Sequence, residues 1–132
     1  VTDAEPLWLN ERIVQAVHDE QLAEHGGLPG VRDASALAAI LARPRNLLGY
    51  EGVTDLHRLA ASYAFGIATG HPFNDANKRT AFVVAVVFLA VNGLRFEAPE
   101  EDVVPTMLEL TTKRLNEMEF AAWLARWTRP TG

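Results

Sequence analysis

Nine consecutive positions hold most of the side chains here that could do chemistry: His71-Pro72-Phe73-Asn74-Asp75-Ala76-Asn77-Lys78-Arg79. They stand directly before the most apolar run of the chain, Ala81 to Val91, and so open a helix. A helix N-terminus carries about half a positive charge and up to four unpaired N–H groups. Lys78 and Arg79 therefore sit on the wrong side of the dipole, which suits them to an anion. A phosphate there would meet backbone N–H groups, the dipole and two cationic side chains together. Asp75 would repel that phosphate unless a divalent cation bridged them, and Mg²⁺ typically takes one or two carboxylates plus phosphate oxygens. His71 lies four residues before Asp75, where its imidazole can accept a proton from an attacking hydroxyl. Phe73, buried beneath, would hold the turn rigid. Base, metal carboxylate, amide and cationic clamp together describe phosphoryl or nucleotidyl transfer.

Each residue alone also has an ordinary structural reading. His71 would satisfy a helix C-terminus and Asp75 would be an N-cap. Asn77 would be a turn residue, with Lys78 and Arg79 a solvated first turn. The conjunction at fixed spacing favours chemistry over five separate coincidences.

The elements that must position this segment are helices. Asn10 caps a first helix to His25, stopped by Gly26-Gly27. After the turn at Leu28-Pro29-Gly30, Asp33 caps a second helix through Arg43, which Pro44 ends. Gly49 and Gly52 around Tyr50 predict a loop or small hairpin over residues 45–53. Thr54 caps a third helix to Thr69, with Gly70 as its C′ residue. A fourth begins near Asp75 or Ala76 and ends at Asn92-Gly93; lacking a polar face, it should be covered on all sides. Its many valines would suit a strand, but its length and the cap-like Asn74-Asp75 favour a helix. Pro105 marks the first turn of a helix through about Arg114. Asn116 and Glu119 form a capping box for the last helix, whose Phe120, Trp123, Leu124 and Trp127 share one face. The predicted class is all-α: a single compact helical domain over residues 1–132, with a buried central helix and one short hairpin or loop.

Length and composition narrow the function. The 132 residues suit one domain, and 48% apolar with 22% charged residues is an ordinary globular balance, against disorder. A net charge of −5 disfavours a broad nucleic-acid-binding face. Without cysteine there is neither a disulfide framework nor a thiolate metal site. The eleven residues from Ala81 to Val91 are too few to span a bilayer as a helix. The polar start, Val1 to Pro6, lacks the basic region of a signal peptide. The expectation is a soluble, intracellular protein.

The central segment resembles the signature of Fic-fold proteins, and more closely that of the death-on-curing (Doc) toxin branch. The general Fic pattern is His-x-Phe-x-Asp/Glu-Gly-Asn-Gly-Arg, followed three residues later by a second Arg. Here Ala76 and Lys78 replace the two glycines and Phe82 stands at the second Arg, as in the Doc branch. The stretches from Gly26 to Asp33 and from Tyr50 to Asp55 also look like Doc segments in matching order.

The resemblance implies a helical Fic fold in a bacterial cytoplasmic protein. It implies His71 as general base, Asp75 as Mg²⁺ ligand, and Asn74, Asn77, Lys78 and Arg79 as phosphate and nucleotide ligands. A flap near Arg45–Gly52, with Leu47 and Tyr50, would align the target. Most Fic proteins transfer AMP from ATP to a hydroxyl. Doc toxins instead transfer the γ-phosphate of a reversed ATP to a threonine of elongation factor Tu, arresting translation. Loss of the glycines and replacement of a cation by Phe82 suit a reversed triphosphate. Many Fic enzymes carry an inhibitory Ser/Thr-x-x-x-Glu-Gly/Asn helix, which is absent: Thr111 and Thr112 lead to Leu115 and Asn116. Restraint is therefore expected in trans, from an antitoxin of Phd type whose disordered tail folds on the N- and C-terminal helices. The alternatives are AMP transfer by the same loop, or an inactive module that only binds its antitoxin. A His-Asn-His nuclease is disfavoured because no His follows His71. His18, His25 and His57 fall within helix patterns and read as surface or core residues.

Overall fold

In a computed structural model, which describes residues 5–131, the chain forms helices α1 (Glu11–His25), α2 (Ala34–Glu51), α3 (Leu56–Gly70), α4 (Asn77–Val91), α5 (Glu100–Thr111) and α6 (Glu117–Arg126). Strands β1 (Leu94–Phe96) and β2 (Thr128–Pro130) pair antiparallel, with Arg95 opposite Arg129. This small sheet was not foreseen; the expected hairpin lay at residues 45–53, which are helical almost throughout. Among the described residues no helix is long and apolar enough to cross a membrane.

The core is centred on α3 and α4. In α3, Leu59 to Ala64, Ile67 and Ala68 are all buried, so its small residues face neighbours on every side. Tyr63 is wholly buried, and its hydroxyl accepts the Leu9 N–H at 3.0 Å. Burial raises its pKa, with that bond and Arg45 acting the other way. Helix α4 is less enclosed than expected. Ala81, Val84, Ala85, Phe88 and Leu89 are buried, while Phe82, Val83, Val86 and Val87 are only partly covered. The most enclosed helix is therefore α3, and one flank of α4 is left partly open. Two glycines set the α2–α3 distance. A Cβ on Gly66 would come within 2.7 Å of Ile40 Cγ2, and one on Gly70 within 3.1 Å of Ile40 Cδ1.

Several element ends differ from expectation. Helix α2 runs through Pro44 to Glu51, where Gly52 adopts φ +67°. Leu47, 6% exposed, lies in the core and ties the last two turns to the bundle. Tertiary packing offsets the backbone bond lost at Pro44. The proposed flap is thus a helix end. Leu47 is enclosed and unavailable for docking, while Tyr50 is 87% exposed. Asp55, not Thr54, caps α3 through the His57 N–H. Gly70 is the last residue of α3, and His71 takes the left-handed position assigned to it. Pro105 lies in the second turn of α5, behind an acidic first turn of Glu100, Glu101 and Asp102. That helix stops at Thr111 rather than Arg114. Thr111 and Thr112 bond back to the Met107 and Leu108 carbonyls, and Lys113 turns left-handed. The capping box at Asn116 and Glu119 forms as read.

Candidate functional site

The segment from His71 to Ala76 links α3 to α4, and its shape comes from two residues outside ordinary helix or strand geometry. His71 (φ 48°) and Ala76 (φ 63°) are left-handed, a conformation costing an L-residue about 1–2 kcal/mol. Asn77, the first residue of α4, clamps the turn: its amide oxygen accepts the Phe73 N–H and its amide nitrogen donates to the Phe73 carbonyl, both at 3.0 Å. One amide hydrogen of Asn77 remains for a ligand. Phe73 is 1% exposed and stacks on His18, ring centroids 3.9 Å apart. His18 Nε2–H also donates to the Asp75 carbonyl at 3.0 Å. His18 is therefore a core residue that braces the loop from below.

Helix α4 has no side-chain cap. Ala76 occupies the N-cap position and has no side chain able to accept from the first N–H groups. Asp75 does not cap α4 either. Its Oδ1 accepts the N–H of Ala76 at 2.8 Å and its Oδ2 that of Leu28 at 3.1 Å. Those two bonds, more than the Arg79 and His18 charges, hold its carboxyl below its ordinary pKa. The ordinary reading of Asp75 as an N-cap fails here, and the helix presents free amides.

Those amides open onto a pocket of about 460 Å³ lined by His71, Asn74, Asp75, Ala76, Asn77, Lys78, Arg79 and Thr111. The structure thus brings together all six polar and charged residues of the motif with Ala76; Phe73 is beneath them. The two cations differ. Arg79 donates to the Gly26 carbonyl at 3.0 Å and the Gln21 carbonyl at 3.4 Å, so it interacts with the C-terminal end of α1. That contact offsets part of its unfavourable position on α4. Lys78 is exposed and, among the described residues, pairs with no carboxylate. It is the cation most in want of an anion.

Asp75 suits a single-carboxylate Mg²⁺ site completed by phosphate oxygens. Each of its oxygens keeps a free lone pair, and the side chain faces the pocket. Among the described residues no cluster of three or more His, Asp or Glu side chains forms a cage by itself.

A second layer, missed in the sequence as part of the site, is residues 27–32. Arg32 Nε donates to the His71 carbonyl at 2.7 Å and its Nη2 to the Gly70 carbonyl at 3.0 Å, so it caps the C-terminus of α3. The Arg32 and Asp33 N–H groups both reach the Pro72 carbonyl, and Val31 bridges Phe73 in a one-residue β pairing. Asn74 is held from the same side: its N–H reaches the Gly30 carbonyl and its Nδ2 the Pro29 carbonyl. A Cβ on Gly27 would lie 2.9 Å from Asp75 Oδ2, and one on Gly30 2.8 Å from Asn74 Nδ2. The glycines and the single proline between α1 and α2 therefore form a cradle for the loop. Thr111, seen in the sequence only as part of an absent inhibitory pattern, lines the pocket from α5. Neither contribution has a local sequence signal; each depends on distant segments meeting.

A helical bundle whose two central helices are joined by a braced loop, with a polar pocket at an uncapped helix N-terminus, is the class of structure defined here. The Fic/DOC family model matches residues 8–89, and the chain belongs to that family. It is 45% identical over 86 residues to Protein kinase doc of Escherichia phage P1, covering 64% of this chain and 68% of the relative. It is 38% identical over 74 residues to Toxin Doc of Mycolicibacterium smegmatis, covering 55% and 57%. These relatives support the Doc branch over the general Fic pattern.

Proposed function

We propose that this chain is the toxin of a toxin–antitoxin pair and moves the γ-phosphate of ATP to a Ser or Thr hydroxyl of a protein. The observation that carries this reading is the uncapped N-terminus of α4, open to a pocket shared by His71, Asp75, Lys78 and Arg79. The naming of one relative as a protein kinase supports it. In the proposed reaction His71 takes the proton of the acceptor hydroxyl as its oxygen bonds to the γ-phosphorus. The bond from that phosphorus to the bridging oxygen breaks, and ADP leaves. The α4 amides, Lys78 and Arg79 hold the phosphate oxygens, with the remaining amide hydrogens of Asn74 and Asn77 beside them. Asp75 would hold Mg²⁺, which supplies charge neutralisation on the polyphosphate when bound.

By analogy with the Doc branch, the target is a threonine of elongation factor Tu, so translation stops in the bacterial cytoplasm. An antitoxin of Phd type restrains the enzyme in trans. Incubating the protein with elongation factor Tu, Mg²⁺ and ATP, then weighing the intact target, tests this reading. The expected result is a gain of one phosphate, reduced about 10²–10⁴-fold in rate by His71→Ala. A gain of AMP would replace phosphotransfer by nucleotidyl transfer, and an unmodified target would remove elongation factor Tu from the proposal.

A further inference from the structure

Helix α1 buries a histidine beside its inward-facing valines, Val14 and Val17. His18 is 2% exposed and stands 57 positions before Asp75, the loop residue it touches. An apolar side chain would fill this place at no polar cost, whereas a buried imidazole needs a partner for its N–H. The ring lies almost flat on Phe73, with 9° between the planes, and Nε2 is 3.0 Å from the Asp75 carbonyl oxygen. A carbonyl only accepts, so Nε2 carries the proton of that bond.

The carbonyl held by His18 belongs to the peptide unit joining Asp75 to Ala76. The N–H of the same unit donates to Asp75 Oδ1 at 2.8 Å. One peptide plane is thus pinned at both ends, by α1 at its carbonyl and by the Asp75 carboxylate at its amide. The orientation of that plane sets the φ of Ala76. Turning it over would move Ala76 from φ 63° to an ordinary negative value and relieve the left-handed strain. It would also carry the N–H away from Oδ1 and face the carboxylate with a carbonyl oxygen instead. The strained orientation is the one that serves the site, and backbone strain persists only where the surroundings over-determine it.

We propose that His18 is a positioning residue of the transfer site. Its Nε2–H holds the Asp75–Ala76 peptide in the orientation that aims the Asp75 carboxylate at a divalent cation and leaves the α4 amides open to phosphate. This role rests on the phosphotransfer reading given above and adds to it a residue that touches neither substrate nor metal. The stack on Phe73 fixes the tilt of the ring, and the hydrogen bond does the positioning. A phenyl ring would reproduce the stack but has no donor for the carbonyl.

Binding of Mn²⁺ in the presence of a non-hydrolysable ATP analogue, followed by electron paramagnetic resonance, tests the role without turnover. His18→Phe should weaken Mn²⁺ binding about tenfold, and His18→Gln, which keeps an N–H donor, should recover most of it. In an Ala76→Gly background the left-handed turn carries no strain, so His18→Phe should cost only a small part of that loss. In the unaltered chain, heteronuclear NMR should show a slowly exchanging His18 Nε2 proton that shifts when metal and analogue are added. A fast-exchanging ring proton unmoved by ligand, full Mn²⁺ affinity in His18→Phe, or an equal loss in both backgrounds would overturn the role and leave phosphotransfer in place. Failure of the unaltered chain to bind the analogue with either Mg²⁺ or Mn²⁺ would overturn the nucleotide reading, and the positioning role with it.

Discussion

Ala76 is the residue where backbone strain and chemistry meet. Its φ of 63° leaves the α4 amides uncapped and turns Asp75 toward Leu28. Ala76→Gly should raise stability by about 1 kcal/mol, read as a higher urea midpoint, because glycine takes this conformation without the Cβ penalty. Asp75 gives a pH dependence with a defined sign. Its folded pKa is depressed, so the unfolded chain takes up the proton first as pH falls. The stability it contributes is full above the ordinary carboxylate range and is lost as pH drops through the folded pKa. Asp75→Asn should flatten the acid limb of an unfolding-midpoint profile; an unchanged limb would show that other carboxylates set it. At this scale the motif was highly legible, since residue type and spacing named the pocket. The division of labour was not. Asn77 proved to be the clamp on Phe73, and Arg79 is shared with the end of α1, because both depend on carbonyls that only folding brings near.

Among the elements, the cradle between α1 and α2 governs the precision of the loop. Arg32 touches no pocket residue except through the backbone of Gly70 and His71, so it acts by position. Arg32→Met should lower kcat and leave the KM for ATP nearly unchanged, with partial recovery in Arg32→Lys; a rise in KM alone would contradict this role. Gly66→Ala places a methyl 2.7 Å from Ile40 Cγ2 and should destabilise by about 1–3 kcal/mol, measured by thermal or urea unfolding. Helix existence was readable from caps and periodicity, and the capping box of α6 formed at the residues named. The errors fell where local rules met packing. Pro44 reads as a stop, yet burial of Leu47 carries α2 past it. Gly70 reads as a C′ residue, yet its lack of a side chain serves the approach of Ile40 and His71 takes the left-handed turn.

For the whole molecule, charge and cavity placement point the same way. A chain of net charge −5 concentrates its useful cations at one pocket, so affinity for a compact polyphosphate and weak affinity for duplex DNA are compatible. At physiological salt a random duplex should not be retarded in a gel by micromolar protein, while Mg²⁺–ATP binds; a stable DNA shift would reverse that assignment. The aromatic chain from Phe82 through Phe96 and Trp123 to Phe120 links the open flank of α4 to β1 and α6. Beyond the Phe120–Trp123 pair it was invisible in the sequence, because its members are spread over 42 positions, from 82 to 123, and no local period connects Phe82 and Phe96 to the rest.

By itself the sequence determined the helical class and the identity of the motif, because those follow from residue type and short-range spacing. Tertiary structure alone decided that Asp75 bonds across to Leu28, that Arg32 holds the backbone of His71, and that a slot lined by Gln21 and Phe82 adjoins the polar pocket. Each of these joins segments about 40 or more residues apart, where the partner is set by how the helices pack.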